Sequence, residues 1–288
     1  KMRKEYLLKL LNNKIYTQEK CPLCCRNHGK KMSFETMLLK LPLGCCLIKC
    51  KCGLIRISEP SKFIININYD LLHREWGTFK NKKSDQIIDN KIKKLINSYK
   101  GSKGSLLEIG CGSGEILKKF KDMGWKAKGL EISLDAINYC RNQNLDVIYG
   151  NFLDIEFQED IDLILMSHVL EHVLDFEKYL KKVHKLLNKN GRVVLFVPYE
   201  FRGLWYIIYK YLKRKVLMEM YNVKTGHIYF FSPKIIALIF SKVGFTIEKL
   251  KVNVNPPGGK NSLIGLLRKV FKIYRDIPEI EVWAKPKK

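Results

Sequence analysis

Between Leu106 and Phe120 a short apolar run, three glycines at alternate positions and an amphipathic segment follow one another without a gap. This stretch, Leu-Leu-Glu-Ile-Gly-Cys-Gly-Ser-Gly-Glu-Ile-Leu, constrains the fold more than any other part of the chain. It predicts a buried strand, a tight turn and a helix, and glycines let a ligand approach the backbone of such a turn closely. A dinucleotide fingerprint would place a third glycine after two intervening residues and keep the helix start free of negative charge. Here the spacing is Gly110-x-Gly112-x-Gly114, and Glu115 opens the helix. With Glu108 also close by, the loop suits a positively charged nucleoside better than a diphosphate. Glu131 ends the next predicted strand, 21 residues after Gly110, where a carboxylate can accept hydrogen bonds from both hydroxyls of a ribose.

The alternation continues on either side. Predicted strands at 106–109, 127–131, 146–149, 161–166 and 192–197 are separated by predicted helices at 115–123, 134–142 and 176–187. Asn190-Gly191 is expected to end the last of these helices. Ser232-Pro233 predicts a further helix start, and 245–252 and 279–284 alternate as late strands. Strands alternating with helices indicate an α/β, doubly wound, mostly parallel sheet. Three regions are expected: a cysteine-rich module at 1–66, a helical connector at 67–100, and an α/β domain at 101–288 with an insertion or lid at 199–231.

Nine cysteines are present, and seven of them lie between Cys21 and Cys52. Cys21-Pro-Leu-Cys24 and Cys50-Lys-Cys52-Gly53 read as the two knuckles of a zinc-ribbon-like module, with Cys21, Cys24, Cys50 and Cys52 as candidate ligands for a structural zinc. The second knuckle is one residue shorter than the usual spacing. Cys45 or Cys46 in place of Cys50, or a ribbon that has lost its metal, are the alternatives.

Four segments occur in the order found in one enzyme family: Leu106–Gly114, Gly129-Leu-Glu-Ile-Ser133, Ser167-His-Val-Leu-Glu-His-Val173 and Gly191-Arg-Val-Val-Leu-Phe-Val-Pro198. They resemble class I methyltransferases dependent on S-adenosyl-L-methionine (SAM), especially the quinone-biosynthesis-like and sugar-cluster groups. The resemblance implies a seven-stranded Rossmann-like sheet whose last strand is antiparallel. It also implies that Gly110, Cys111, Gly112 and Gly114, with Glu108 nearby, line the methionine end of SAM. Glu131 would then hold the ribose, Ile132 would lie beside the adenine, and Asn151 and Phe152 would meet the adenine edge. Some sugar-modifying members pair such a domain with an N-terminal zinc module.

His168, Glu171 and His172 follow the predicted fourth strand, at whose carboxyl end ligands sit in a doubly wound sheet. His168 and His172 are candidate general bases. Coordination of a divalent metal and simple positioning of the loop are the other readings. His227, in Thr225-Gly-His-Ile-Tyr-Phe-Phe-Ser-Pro233, resembles a histidine that faces the substrate in sugar-cluster and quinone-type relatives; packing of the insertion onto the sheet is its alternative.

The formal net charge is +25. It is unevenly placed: residues 1–100 carry 22 Lys/Arg against 8 Asp/Glu, residues 199–288 carry 18 against 6, and residues 101–198 carry 13 against 14. A lysine-rich composition with no specific role is one account. The other is that the flanks face an anionic partner. The resemblance, through the zinc-module layout and the His227 segment, implies a small-molecule or glycan acceptor, with O-methylation of a sugar, nucleotide-sugar or polysaccharide end favoured. An RNA methyltransferase that uses the basic flanks, and a non-enzymatic protein that keeps the fold and binds a membrane surface through 204–215 or 263–274, are the alternatives. No apolar run approaches the ~20 residues of a membrane span, and a cytoplasmic protein with reduced cysteines is expected.

Overall fold

The computed structural model describes residues 20–26, 29–32, 45–59, 104–157, 160–200, 226–253 and 278–287. The connector at 67–100, most of the insertion and the two amphipathic stretches at 204–215 and 263–274 lie outside the described residues.

Seven strands form one sheet. In chain order they are β4 (Ser105–Ile109), β5 (Lys126–Glu131), β6 (Val147–Tyr149), β7 (Ile161–Ser167), β8 (Leu187–Pro198), β10 (Phe245–Asn253) and β11 (Glu279–Pro286). Their spatial order is β10-β11-β8-β7-β4-β5-β6. The β4–β5, β4–β7, β5–β6 and β7–β8 pairs are parallel, whereas β11 runs antiparallel to both β8 and β10. The last strand is antiparallel, as the family resemblance implies, and it lies between two earlier ones.

β7 is covered on both faces. Ile164 and Met166 join the larger core with Leu107, Ile109 and Leu195, while Leu163 and Leu165 join a second cluster with Leu106, Val194, Phe196 and Trp283. Burial on both faces explains its unbroken apolar run. Each of these fully buried side chains contributes about 1.5–3 kcal/mol of transfer free energy.

The helices follow their local signals. α1 (Glu115–Asp122) starts directly from Gly114, which sits at φ 71°. α2 (Leu134–Asn142) is capped by Ser133, whose side chain accepts from the Ala136 amide. α3 (Phe176–Leu186) buries Phe176, Tyr179, Leu180, Val183 and Leu186. α4 (Pro233–Val243) has Ser232 as its N-cap and ends at Gly244, φ 92°.

One boundary differs from expectation. α3 stops at Leu186, not at Asn190-Gly191, and the chain is already extended at Leu187. Leu187 is buried and pairs with Ile161 at the start of β7. Sheet pairing therefore takes the residue that a local reading gives to the helix. Gly191 has a different use: a Cβ there would lie 2.7 Å from the Ile161 carbonyl oxygen.

The cysteine segment forms a second sheet of four strands, β1 (Gly29–Lys31), β2 (Leu47–Cys50), β3 (Ile55–Ile57) and β9 (Tyr229–Phe230), in that order. β9 comes from far along the chain, two residues after His227. Leu47, Leu54 and Ile57 share one continuous core with Ile228, Tyr229 and Ile235. No helix among the described residues is long and apolar enough to cross a membrane.

Candidate functional site

The glycine loop closes the end of β4. Gly110, Gly112 and Gly114 all have positive φ, at 70°, 53° and 71°. The amides of Gly110 and Cys111 both donate to the Leu130 carbonyl, at 2.7 and 3.2 Å, which ties the loop to β5. Left-handed backbone at three alternate positions strongly favours glycine, so this turn is built into the sequence. At Gly110 a Cβ would also lie 2.5 Å from Val169 Cγ2. Gly110→Ala should therefore cost about 1–3 kcal/mol from strain and overpacking together. Adding Val169→Ala should recover the steric share only, measured by denaturant unfolding of the two variants; full recovery would show that the backbone conformation is not strained.

Glu131 is nearly inaccessible at 4% exposure. Its carboxylate accepts three backbone N–H bonds: from Gly112 at 2.9 Å through Oε2, and from Ile132 and Ser133 at 2.7 and 2.9 Å through Oε1. The acid thus fixes the glycine loop to the end of β5. Glu108 is also buried, in the middle of β4. The segment Leu106–Leu117 contains two acidic and no basic residues. That donor set fits a cationic ligand with a hydroxylated sugar and lacks the positive charge a pyrophosphate calls for.

Other residues expected at this site have specific placements. Ile132 is exposed at the end of β5. The Cys111 side chain is buried among Leu117, Ile137 and Cys140. Asn151 Oδ1 accepts from the Leu153 amide at 3.1 Å and from the Tyr179 hydroxyl at 2.9 Å, which holds the turn after β6. The Phe152 ring is buried and packs against Tyr179 and Phe157. Lys182 donates to the carbonyls of Phe152, Leu153 and Ile155. Cys111 and Phe152 therefore direct their side chains into the core.

Past the end of β7 a second group gathers. His168 has φ 56° and its ring is half exposed. Its Nδ1 is 3.3 Å from Glu171 Oε1 and its Nε2 is 2.8 Å from Glu279 Oε1. Leu170–His172 form a single 3-10 turn. His172 Nδ1 lies 3.1 Å from the Gly226 carbonyl oxygen, so it carries the proton of that bond. The His172 and His227 rings meet edge-on with centroids 4.8 Å apart. His227 Nδ1 lies 3.0 and 3.2 Å from the two oxygens of Glu200, and its Nε2 is 3.9 Å from Glu171 Oε1. Glu171 is fully buried and Glu200 nearly so.

His168, Glu171, His172 and His227 are thus one cluster. The sequence suggested the first three as neighbours on one turn and singled out His227 separately; the fold joins them. It also adds Glu200 and Glu279, which sequence reasoning missed. Neither lies near the histidines in sequence, and no local spacing signals such a partner. Ligand atoms of Glu171, His172 and His227 lie within 4.8 Å of one another.

Proton affinities in the cluster are strongly shifted. Burial opposes ionisation of Glu171, but the His168 ring 3.3 Å away and the fields of His172, His168 and His227 outweigh it and hold its pKa at about 2. Burial, and then the field of His227, push His172 down to about 4. Burial also opposes protonation of His227, yet Glu200 and then Glu171 raise its pKa above the ordinary histidine value. The chain should therefore lose stability on both sides of neutrality. Glu171 contributes fully above about 4.5 and loses its contribution as pH falls toward about 2. His172 resists protonation in the folded state, so it destabilises progressively as pH falls from about 6.5 to about 4. His227 contributes fully below about 6.5 and loses its contribution as pH rises through its elevated folded value. Urea midpoints followed against pH should pass through a maximum near neutrality; a flat profile through the acid range would contradict the network.

In the cysteine module, Cys21 Sγ lies 3.7 Å from Cys52 Sγ and Cys24 Sγ 3.4 Å from Cys50 Sγ. All four sulfurs fall within 4.8 Å of one another. Tetrahedral zinc with Zn–S bonds near 2.3 Å needs sulfur–sulfur edges of about 3.8 Å, so the residues fit the ion. The short Cys-x-Cys knuckle works because the Gly53 amide donates to the Cys50 carbonyl, with Gly53 at φ 100°. Cys50 is in the cluster, and Cys45 is not: its sulfur faces the Glu59 carbonyl, 3.8 Å away.

Comparison with known proteins agrees with this geometry. The model of a methyltransferase domain family matches residues 79–250. An uncharacterized methyltransferase from Staphylococcus carnosus is 31% identical over 127 residues, which cover 42% of this chain and 59% of that protein. The chain spans about half the length of the curated relatives it matches. A SAM-dependent methyltransferase from Archaeoglobus fulgidus superposes with a TM-score of 0.51 at 19% identity, covering 69% of this chain and 93% of that one. Magnesium protoporphyrin IX methyltransferase from Synechocystis, solved with bound SAH, gives 0.50 at 14% identity over 70% of this chain and 83% of its own. At these identities the structural likeness is one of fold.

Proposed function

This chain belongs to the methyltransferase domain family, and from that premise we propose that it binds SAM at the ends of β4 and β5 and methylates a hydroxyl of an anionic sugar or glycan acceptor. The observation that carries the cofactor reading is the Glu131 carboxylate, buried and aimed by three backbone amides at the glycine loop. A carboxylate held this way can receive ribose hydroxyls without rearranging first. SAM supplies an activated methyl on a sulfonium centre.

The chain's own contribution is positioning and proton handling. The cluster of His168, Glu171, His172 and His227 stands beyond the carboxyl end of β7, next to the glycine loop, with Val169 against Gly110. His172 donates through Nδ1 to the Gly226 carbonyl, so Nε2 is the ring nitrogen that would take the acceptor's hydroxyl proton. Glu171 and Glu200 flank His227 and hold its ring in place. His168, at the exposed mouth, is fixed between Glu171 and Glu279. Desolvation and in-line placement supply much of the rate in such a transfer.

The charge distribution supports the acceptor class: the α/β centre is neutral while both flanks are strongly basic. The zinc-ribbon-like module ahead of the α/β domain supports the same reading, since the family resemblance includes sugar-modifying members with such a layout. The test is calorimetry with SAM and SAH, followed by methyl-transfer assays on a panel of nucleotide-sugars and phosphorylated glycans. Micromolar SAH binding with turnover of a sugar is the expected result. Turnover of RNA alone would overturn the acceptor class, and absence of SAH binding would overturn the cofactor.

A further inference from the structure

We propose that the cysteine module is a positioning device for His227, so that metal held by Cys21, Cys24, Cys50 and Cys52 governs the geometry of the histidine cluster. This rests on the reading of that cluster as the reaction site. The path is short and made of main-chain bonds. Cys50 and Cys52 flank the turn from β2 into β3, and that turn is closed by bonds from Gly53 N–H to the Cys50 carbonyl and from Cys50 N–H to the Leu54 carbonyl, both 2.9 Å. β3 then pairs with β9, Ile55 opposite Phe230 and Arg56 opposite Tyr229. The Ile57 amide donates to the Ile228 carbonyl at 3.0 Å, and the Ile228 amide donates to the Glu171 carbonyl at 2.8 Å. His227 therefore directly precedes Ile228, whose carbonyl is held by the module and whose amide is held by the Glu171 turn. Gly226, on its other side, accepts from His172.

Packing reinforces the path. Leu54, Ile57, Ile228 and Tyr229 are all essentially inaccessible. β9 is only two residues long, and a strand that short owes its place to its neighbours. The cofactor loop, by contrast, is held by β5 and Glu131, and among the described residues the bonds that fix it run to those elements rather than to the module. Loss of the metal should therefore disturb His227 and leave cofactor binding nearly intact.

The experiment uses the full chain, loaded with zinc and then stripped with a chelator. The readouts are the zinc-to-protein ratio, the NMR resonances of the His227 ring, and SAH affinity by calorimetry. Zinc near one equivalent, a His227 shift on stripping, and an SAH affinity changed by less than about threefold, under 1 kcal/mol, are the expected results. Where a sugar acceptor turns over, kcat/KM should fall at least ~10-fold, the scale of a misplaced catalytic group. A second arm is Ile57→Pro, which keeps all four cysteines but removes the Ile57 N–H donor. It should retain zinc and still shift His227, and it decides the matter if stripping unfolds the chain. Unchanged His227 resonances in zinc-bound Ile57→Pro, or zinc that is retained after Cys24→Ser and Cys52→Ser are combined, would overturn the proposal. Failure of SAH to bind would instead count against the cofactor reading and leave the His227 response interpretable.

Discussion

Replacing Glu131 by alanine should weaken SAH binding by about 100-fold or more and lower the unfolding midpoint at the same time. Two losses combine. The first is the pair of charge-assisted bonds to the ribose hydroxyls, at about 1.5–3 kcal/mol for each bond to a charged group. The second is internal: the amides of Gly112, Ile132 and Ser133 lose their acceptor in a nearly inaccessible place. A buried donor left unmade costs about 1–3 kcal/mol, so the loop should loosen even without ligand. Glu131→Gln separates the two effects. Its carbonyl can still accept from one side, but its amide group faces N–H donors on the other. It should bind SAH better than the alanine variant and worse than the parent, by calorimetry. An alanine variant that binds SAH within threefold of the parent would remove Glu131 from the cofactor site.

His227→Leu should be the most destabilising single change in the histidine cluster, by about 3–5 kcal/mol, the usual consequence of removing one partner from a buried charged group. The substitution leaves the carboxylates of Glu200 and Glu171 buried without the ring that lies 3.0 and 3.9 Å from them. Adding Glu200→Leu should restore part of the loss, because one uncompensated carboxylate disappears. The double-mutant cycle from urea denaturation should therefore show strong coupling between positions 200 and 227. Additive effects would mean that the 3.0 Å contact carries no net energy. Glu200→Leu alone should lower the proton affinity of His227, since Glu200 is the main group raising it against burial.

The parts of this protein that could be read in advance are the parts whose cause is local. Three glycines between an apolar run and an amphipathic segment leave few alternatives to a strand, a left-handed turn and a helix. Ser232-Pro233 marked the start of α4 for a similar reason, since cap and first turn are adjacent in the chain. The end of α3 was not legible. Asn190-Gly191 carries the composition of a helix stop, yet Leu187 leaves the helix four residues earlier to pair with Ile161 in another strand. For Asn151 and Phe152 the family resemblance implies a place at the adenine edge; the structure adds what no local pattern shows, that the Phe152 ring packs into the core and Asn151 Oδ1 holds a turn.

By itself the sequence determined the glycine turn, most of the order of strands and helices, and two cysteine knuckles, because each depends on residues within one or two turns of chain; that Glu131 accepts from Gly112, and that Cys50 rather than Cys45 meets Cys24, took the fold. Only the tertiary structure decided that Glu200 and Glu279 would partner histidines 27 and 111 residues away, and that β9 would complete the cysteine module's sheet. Such contacts are set by sheet order and by which faces are left to bury one another, and that competition is settled only when the whole core closes.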